Sequence, residues 1–305
     1  MDLAKLAADY SDEGKARELL ESLRWPDGTV CPHCGAPDAY RLTAKAGSAR
    51  PVRPGVWKCR VCRKQFTVRV GTILEDSHIP LSKWVLAIHL LCASKKGMSA
   101  HQLHRMLGVT YKSAWFMAHR IRYAMTRPPL SDKLAGIVEA DETFIGGKRT
   151  GSGRRGPHDK IPVLTLVERG GQARSFRVAN VTAKTLGPEI TAHVERSARL
   201  MTDEMASYKP IGRGMAGHET VSHSTGIYAR GEAHVNSAES YFATLKRGIN
   251  GVYHHVSPAH LPRYLAEFDF RYNARDVSDG ERAERAMRGA EGKRLTFAPL
   301  REARG

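Results

Sequence analysis

The chain has 305 residues, 41% of them hydrophobic, with 48 Lys and Arg against 31 Asp and Glu for a formal net charge of +17. That length can close two or three cores, and its longest apolar run, Trp84 to Ala93, is interrupted by His89 and is too short to cross a bilayer. An excess of Arg spread over nearly every segment points to a polyanionic partner, nucleic acid first. The opening residues lack signal-peptide organisation, so a cytoplasmic protein with no membrane partner is expected.

Residues 1–24 read as an N-terminal helix. Over residues 25–75 the texture changes to Cys, Pro, Gly and short β-type runs. Cys31-Pro-His-Cys34 and Cys59-Arg-Val-Cys62 are two CxxC knuckles with twenty-four residues between them. Zn²⁺ takes four soft ligands in a tetrahedron, and two such knuckles supply two thiolates each; four protein ligands make the site closed and structural. Gly35 follows the first knuckle, where the turn needs positive φ. Trp57 and Phe66 can pack a small sheet over the metal, and a domain this small needs such a staple. His33 reads as exposed, and Cys92 as a buried hydrophobe.

Residues 76–128 carry helical periodicity. Leu81–Ala93 is a first helix, Ser99 an N-cap for HQLHRML, Gly108-Val109 a turn, and Thr110 a cap for YKSAWFMAHRIRYAM. Helix, glycine turn, helix is the pattern of a DNA-reading module. Ala114, Met117, Ala118, Ile121 and Met125 share the core face. Tyr111, Lys112, His119, Arg120 and Arg122 remain as polar or basic positions, and Lys112, Arg120 and Arg122 are expected to contact DNA. Pro128-Pro129 ends the helix.

Residues 130–275 alternate β-type and helical segments. The run VEADETFIGG sets three carboxylates among apolar residues, which a buried strand rarely tolerates without partners. Alternation puts Glu139 and Asp141 on one face and Glu142 on the other, and does not choose among them. In LMTDEM, Asp203 ends an apolar run and is preferred to Glu204. Val235, Ala238, Phe242, Leu245 and Ile249 form one helical face, with Glu239, Ala243 and Lys246 on the neighbouring stripe. Acids from two strands and a helix can hold two Mg²⁺ ions, with Lys246 and Arg247 meeting phosphate. The basic loop Gly146–Gly156 does not precede a helix as a P-loop would. His254-His255 can approach DNA or metal, or simply be solvated, and Tyr253 can stack on an unpaired base. Phe268, Phe270 and Tyr272 pack the last helix. Residues 276–305, with ERAERAMRGAEGKRL, read as a charged tail or a loosely held helix.

Residues 18 to 275 resemble insertion-sequence transposases of the DDE class. The resemblance rests on CPHCG, WKCRVCRKQFTV, GTILEDSHIPLSKW, VEADETFIGGK, LMTDEMASY and the segment from HVNSAESYFATLKRG to FDFRYNAR. It implies a multi-domain α/β chain: an N-terminal zinc ribbon, a helix-turn-helix-like segment, and an RNase H-like mixed sheet flanked by helices. It implies Asp141, Asp203 and Glu239 as catalytic acids holding two Mg²⁺ or Mn²⁺ ions, with Lys246 as the basic residue that follows and Asn236 nearby. The implied activity is cleavage at the element's terminal inverted repeats and joining of the freed 3′-hydroxyl to target DNA. That calls for at least a dimer on double-stranded DNA, in the cytoplasm at the nucleoid. The rival readings are a zinc-ribbon DNA-binding regulator with an inactive core and an RNase H-like structure-specific nuclease.

Overall fold

The computed structural model describes residues 8, 10–43, 52–126, 132–146, 160–222, 229 and 231–296. The basic loop beyond Gly146 and the double-proline break lie outside the described residues. The chain divides into two compact units: one holds the residues up to Ser94, Met98–Met125 and those from Val277, the other Lys95–Gly97 and Thr126–Asp276.

In the first unit, α1 (Glu13–Arg24) starts at Asp12, whose carboxylate accepts from the Lys15 N–H. A three-stranded antiparallel sheet follows, made of β1 (Ala39–Arg41), β2 (Trp57–Cys59) and β3 (Gln65–Phe66). Trp25 fills the space beside it, edge-on to Trp57 and Phe66 at 6.2 and 5.9 Å. Glu21 of α1 pairs with Arg41 and accepts from the Trp57 indole N–H at 3.2 Å, so the helix and the sheet share a polar clamp. Next comes α2 (Leu81–Ala93), which begins at Pro80 with no capping side chain of its own. Glu13 of α1 serves instead, accepting from Leu81 N and Ser82 N at 2.9 and 3.1 Å. Then α3 (Ala100–Leu107) and α4 (Tyr111–Ala124) start at Ser99 and Thr110, each hydroxyl capping an N–H of the first turn. Gly108, at φ 58°, turns the chain between them.

The second unit is built on a five-stranded sheet of order β6-β5-β4-β7-β8. Its strands are β4 (Ile137–Ile145), β5 (Ile161–Glu168), β6 (Ala173–Arg177), β7 (Arg199–Thr202) and β8 (Gly217–Thr220). β5 is antiparallel to both its neighbours, β4 and β6, whereas β7 pairs parallel to β4 and β8 parallel to β7. This is the mixed sheet the resemblance implies. Its helices are α5 (Ala183–His193), α6 (Tyr208–Gly212), α7 (Asn236–Gly248) and α8 (Leu261–Asn273), with a π-helical turn at Ile249–Tyr253. Val163 and Val167 face α7 and α8, packing with Ala238, Phe242, Leu245, Leu265 and Phe268. Leu164 and Leu166 face the opposite layer with Leu186, Ile190 and Tyr208. The central strands are therefore covered on both faces, which accounts for their nearly continuous apolar runs.

After α8 the chain rejoins the first unit. The segment read as a charged tail or a loosely held helix contains α9 (Asp279–Arg288), capped by Ser278. Ala283, Ala286 and Met287 are buried, Arg282 donates to Cys92 O at 2.9 Å, and Arg288 donates to Leu23 O at 3.1 Å. Its apolar stripe is only three small or flexible side chains wide, too narrow to stand out against so many charges. No described helix is long and apolar enough to cross a membrane.

Candidate functional site

Two clusters of metal-ligand side chains occur among the described residues. In the first, the sulfurs of Cys31, Cys34, Cys59 and Cys62 lie within 4.8 Å of one another. Cys31–Cys62 and Cys34–Cys59 are each separated by 3.7 Å. A tetrahedron with Zn–S bonds of about 2.3 Å has edges of about 3.8 Å, so the donor set fits zinc in both chemistry and spacing. Gly35, at φ 73°, closes the first knuckle with its N–H on Cys31 O at 2.9 Å. In the second knuckle the Cys62 N–H points at Cys59 Sγ from 3.4 Å. Cys92 is buried and apart from this cluster, as expected.

The second cluster is Asp141, Glu142 and Asp203, each half-buried, with ligand oxygens within 4.8 Å of one another. It follows from the sheet. β4 pairs with β7 only over Ile137–Glu139, opposite Arg199–Met201, and β7 ends at Thr202. Past that point no strand of the described residues pairs with β4 on this side, and Asp203 follows the end of β7. Asp203 is held there by the Met205 N–H on its Oδ1 at 3.0 Å. At an open strand edge, acids from both faces of β4 can reach one spot, so Glu142 joins Asp141 despite the alternation. The Glu142 N–H donates to Asp141 Oδ1 at 2.8 Å, and the buried Tyr208 phenol donates to Glu142 Oε2 at 2.6 Å. Glu204 is exposed and outside the cluster.

Burial, then the Glu142 charge, with Asp203 and Glu239 adding to it, pushes the Asp141 carboxyl up to about 7. Burial also raises Glu142, against the pull of the Tyr208 hydrogen bond. Among the described residues no Lys or Arg pairs with Asp141, Glu142 or Asp203. Half-buried acids this close, with no described cation paired to them, are electrostatically incomplete, and hard oxygen donors in this number suit Mg²⁺ or Mn²⁺.

Glu239 stands exposed in the first turn of α7, and its charge is among those that act on Asp141. What fixes that helix is Glu139, the third acid of the β4 run. Glu139 is fully buried; its Oε2 accepts from Ser237 N and Ala238 N at 2.8 and 3.1 Å. Arg169 Nε donates to its Oε1 at 2.7 Å, and His234 Nδ1 lies 3.2 Å from the same oxygen. Val235 has no side chain to cap α7, so a carboxylate from the sheet caps it and meets the positive end of the helix dipole. A second tether comes from Tyr241, whose phenol donates to Asp269 Oδ1 at 2.6 Å and accepts from Ser175 Oγ at 2.8 Å. Thr165, the register partner of Asp141, bonds to that same Ser175 hydroxyl at 3.0 Å. Of the three acids of VEADETF, Glu139 thus caps a helix while Asp141 and Glu142 join the cluster, which is why alternation could not rank them.

The remaining sequence expectations divide by burial. Lys246 and Arg247 are exposed on the last turn of α7, and Lys112 is exposed on the first turn of α4. Arg120 and Arg122 are instead 7% and 2% exposed. Arg120 spends its guanidinium on the carbonyls of Ile73 and Glu75, both at 2.8 Å, and lies over the Phe116 ring. Arg120 thus ties the first unit internally, and Arg122 is enclosed within it, so neither presents to phosphate. Tyr253 is not placed to stack on a base, because its phenol donates to the buried Glu267 at 2.7 Å and its ring packs edge-on to Tyr264. His254 and His255 are exposed just after the π-helical turn, and Asn236 is exposed at the start of α7.

Two family models match the chain. Residues 133–273 match the ISXO2-like transposase domain, and residues 11–65 match the transposase zinc-ribbon domain. The chain is also similar to an uncharacterized protein in transposable element ISH50 of Halobacterium salinarum. The two are 28% identical over 279 residues, covering 86% of this chain and 91% of that one.

Proposed function

Since the chain belongs to the ISXO2-like transposases and carries their zinc ribbon, we propose that it cuts DNA at the ends of its element and joins the freed 3′-hydroxyl to target DNA. The observation that supports this reading is the meeting of Asp141, Glu142 and Asp203 at the edge of β4, with no described Lys or Arg paired to them; Glu239 lies outside that cluster and its charge adds to the rise of the Asp141 carboxyl. Asp141, Asp203 and Glu239 supply oxygen ligands on a rigid sheet and a doubly tethered helix. Divalent cations held there supply Lewis acidity and an activated oxygen nucleophile for in-line displacement at phosphorus. Lys246 and Arg247, two turns along α7 from Glu239, neutralise the phosphates of the strand being cut. Cutting and joining are the same displacement with water and then a 3′-hydroxyl as nucleophile, so one set of acids serves both and no protein–DNA covalent bond forms. Joining two ends in one event calls for two copies of the chain on DNA.

The test uses full-length protein, Mg²⁺ and a labelled duplex carrying the DNA that flanks the coding region. Asp203→Asn is expected to keep binding and to lose nicking and strand transfer. Equal products from wild type and variant would overturn the assignment, and wild-type cutting without any joined product would reduce the protein to a nuclease.

A further inference from the structure

We infer that Glu142 is itself a ligand of the divalent cation and that Tyr208 is the positioning residue that aims it, so that the edge of β4 seats one ion before DNA arrives and without Glu239. The inference rests on this edge being a divalent-cation site, and is independent of what is then done to DNA.

The sheet brings three carboxylates to one spot from different sides. Residues directly opposite on neighbouring strands share a face. Asp141 lies opposite Thr165, whose hydroxyl bonds to Ser175 and through it to Tyr241, on the side of α7. Glu142 lies opposite Leu164, which packs in the other layer with Leu186, Ile190 and Tyr208. Asp203 follows the end of β7. Oxygens arriving from both faces of a sheet and from a strand end surround a point instead of lining one wall, as a cation with several ligands requires. The Glu142 N–H on Asp141 Oδ1, at 2.8 Å, keeps the first two together. Glu239 is not a member of this set, so three protein oxygens are in place without it. Mg²⁺ keeps several waters and asks for few carboxylates, and three suffice.

Tyr208 by itself does not call for a charged acceptor. A buried phenol needs one oxygen, and an amide or a backbone carbonyl would serve. The acceptor is instead a carboxylate set within 4.8 Å of two others, an arrangement that costs repulsion until a cation joins it. The choice of donor is as informative. Lys or Arg would orient Glu142 and also cancel its charge, whereas a neutral phenol orients it and leaves the charge for an ion. One proton on Oε2 occupies one of about four lone-pair sites of the group. Tyr208 is fully buried, and the turn that carries it is pinned: Ser207 Oγ donates to Val181 O at 2.7 Å, Tyr208 N to Met205 O at 3.1 Å, and Met205 N to Asp203 Oδ1 at 3.0 Å. Residues 203–208 thus supply one ligand and fix the orientation of another that belongs to a different strand.

The experiment titrates Mn²⁺ into full-length, zinc-loaded protein without DNA and follows the free ion by electron paramagnetic resonance, with Mg²⁺ and Ca²⁺ as competitors. Wild type is expected to hold one such ion. Glu142→Gln keeps the shape and an acceptor for Tyr208, yet it should weaken Mn²⁺ binding about tenfold or more, as should Asp203→Asn. Glu142→Ala, a second variant that drops the acceptor too, should lose at least as much. Glu239→Gln should match wild type. Tyr208→Phe keeps the ring and should weaken Mg²⁺ about tenfold but Ca²⁺ much less, because Ca²⁺ tolerates irregular geometry. A tyrosine that only supports the fold would shift both ions alike or neither, and that result would remove its positioning role. Zinc content and the metal-free thermal transition check that each variant folds. Wild-type Mn²⁺ affinity in Glu142→Gln, an equal loss in Glu239→Gln, or a wild type that binds no Mn²⁺ without DNA would overturn the inference. Mn²⁺ held through Glu142 by a protein that neither cuts nor joins DNA would instead overturn the proposed reaction and leave this assignment standing.

Discussion

The two ligand clusters are built on opposite plans. The cysteines come in local pairs, each pair made by a turn of four residues, and only the meeting of the two knuckles needs the chain to fold. The clustered acids come from β4 and from the end of β7, and sixty-one residues separate Asp141 from Asp203. A site of the first kind draws its fold from the ion. A site of the second kind is held by a core that closes without the ion and stores the repulsion of unneutralised acids.

Stripping zinc tests the first half of that contrast and carries the largest expected effect. Structural zinc in comparable small domains contributes on the order of 10 kcal/mol, far more than a sheet of three short strands can replace. Chelation, or Cys59→Ser, should abolish the near-ultraviolet dichroism of Trp25 and Trp57 while a second thermal transition persists. Loss of both transitions together would show that the two plans are not separable.

Asp141→Asn tests the other half. Cutting should fall by about a thousandfold, the effect of removing several kcal/mol of transition-state stabilisation. The stability of metal-free protein should move the other way. Folded Asp141 holds its proton up to about pH 7, whereas an unfolded aspartate ionises near pH 3.9. Between those values the folded state binds the extra proton, so stability declines as pH rises through the window, by roughly 4 kcal/mol in full. The asparagine variant should therefore melt higher than wild type at pH 8 without metal and alike at pH 3.5. Identical curves at both pH values would remove the stored repulsion from the comparison.

Smaller effects sharpen it. Tyr241→Phe removes one hydroxyl under α7 and leaves its packing, so stability should fall by about 1–2 kcal/mol. Cutting should slow about tenfold at unchanged DNA affinity, with partial recovery in Mn²⁺, which tolerates less regular coordination than Mg²⁺. Unchanged cutting would mean that Glu139 alone positions α7. Lys246→Ala should do least, weakening binding at low salt by less than about 1 kcal/mol and flattening the salt slope by about 0.9.

Legibility in the sequence followed the same division. The knuckles, the Ser99 and Thr110 caps and the Gly108 turn were readable because each is a local rule about a few adjacent residues. The mixed sheet was readable through the family resemblance and the alternating texture. What escaped was long-range. Glu13 and Glu139 each cap a helix that begins at a residue without a capping side chain, and no local pattern announces a cap borrowed from another element. Tyr208 lies five residues beyond Asp203, yet its phenol serves Glu142, sixty-six residues upstream. Arg120 and Arg122 were read as outward because arginine usually is. Here two backbone carbonyls just ahead of α2 fill the guanidinium of Arg120 inside the unit.

The return of α9 to the first unit has a consequence for how the protein is made. A ribosome delivers the zinc knuckles and the helical pair early, but Arg288 and Lys293 emerge only after the whole second unit, and they donate to the carbonyls of Leu23 and Ala124. A nascent chain that has not yet released α9 therefore carries an unfinished first unit. Emergence of α9, rather than the appearance of any one motif, sets the moment at which that half of the molecule can mature.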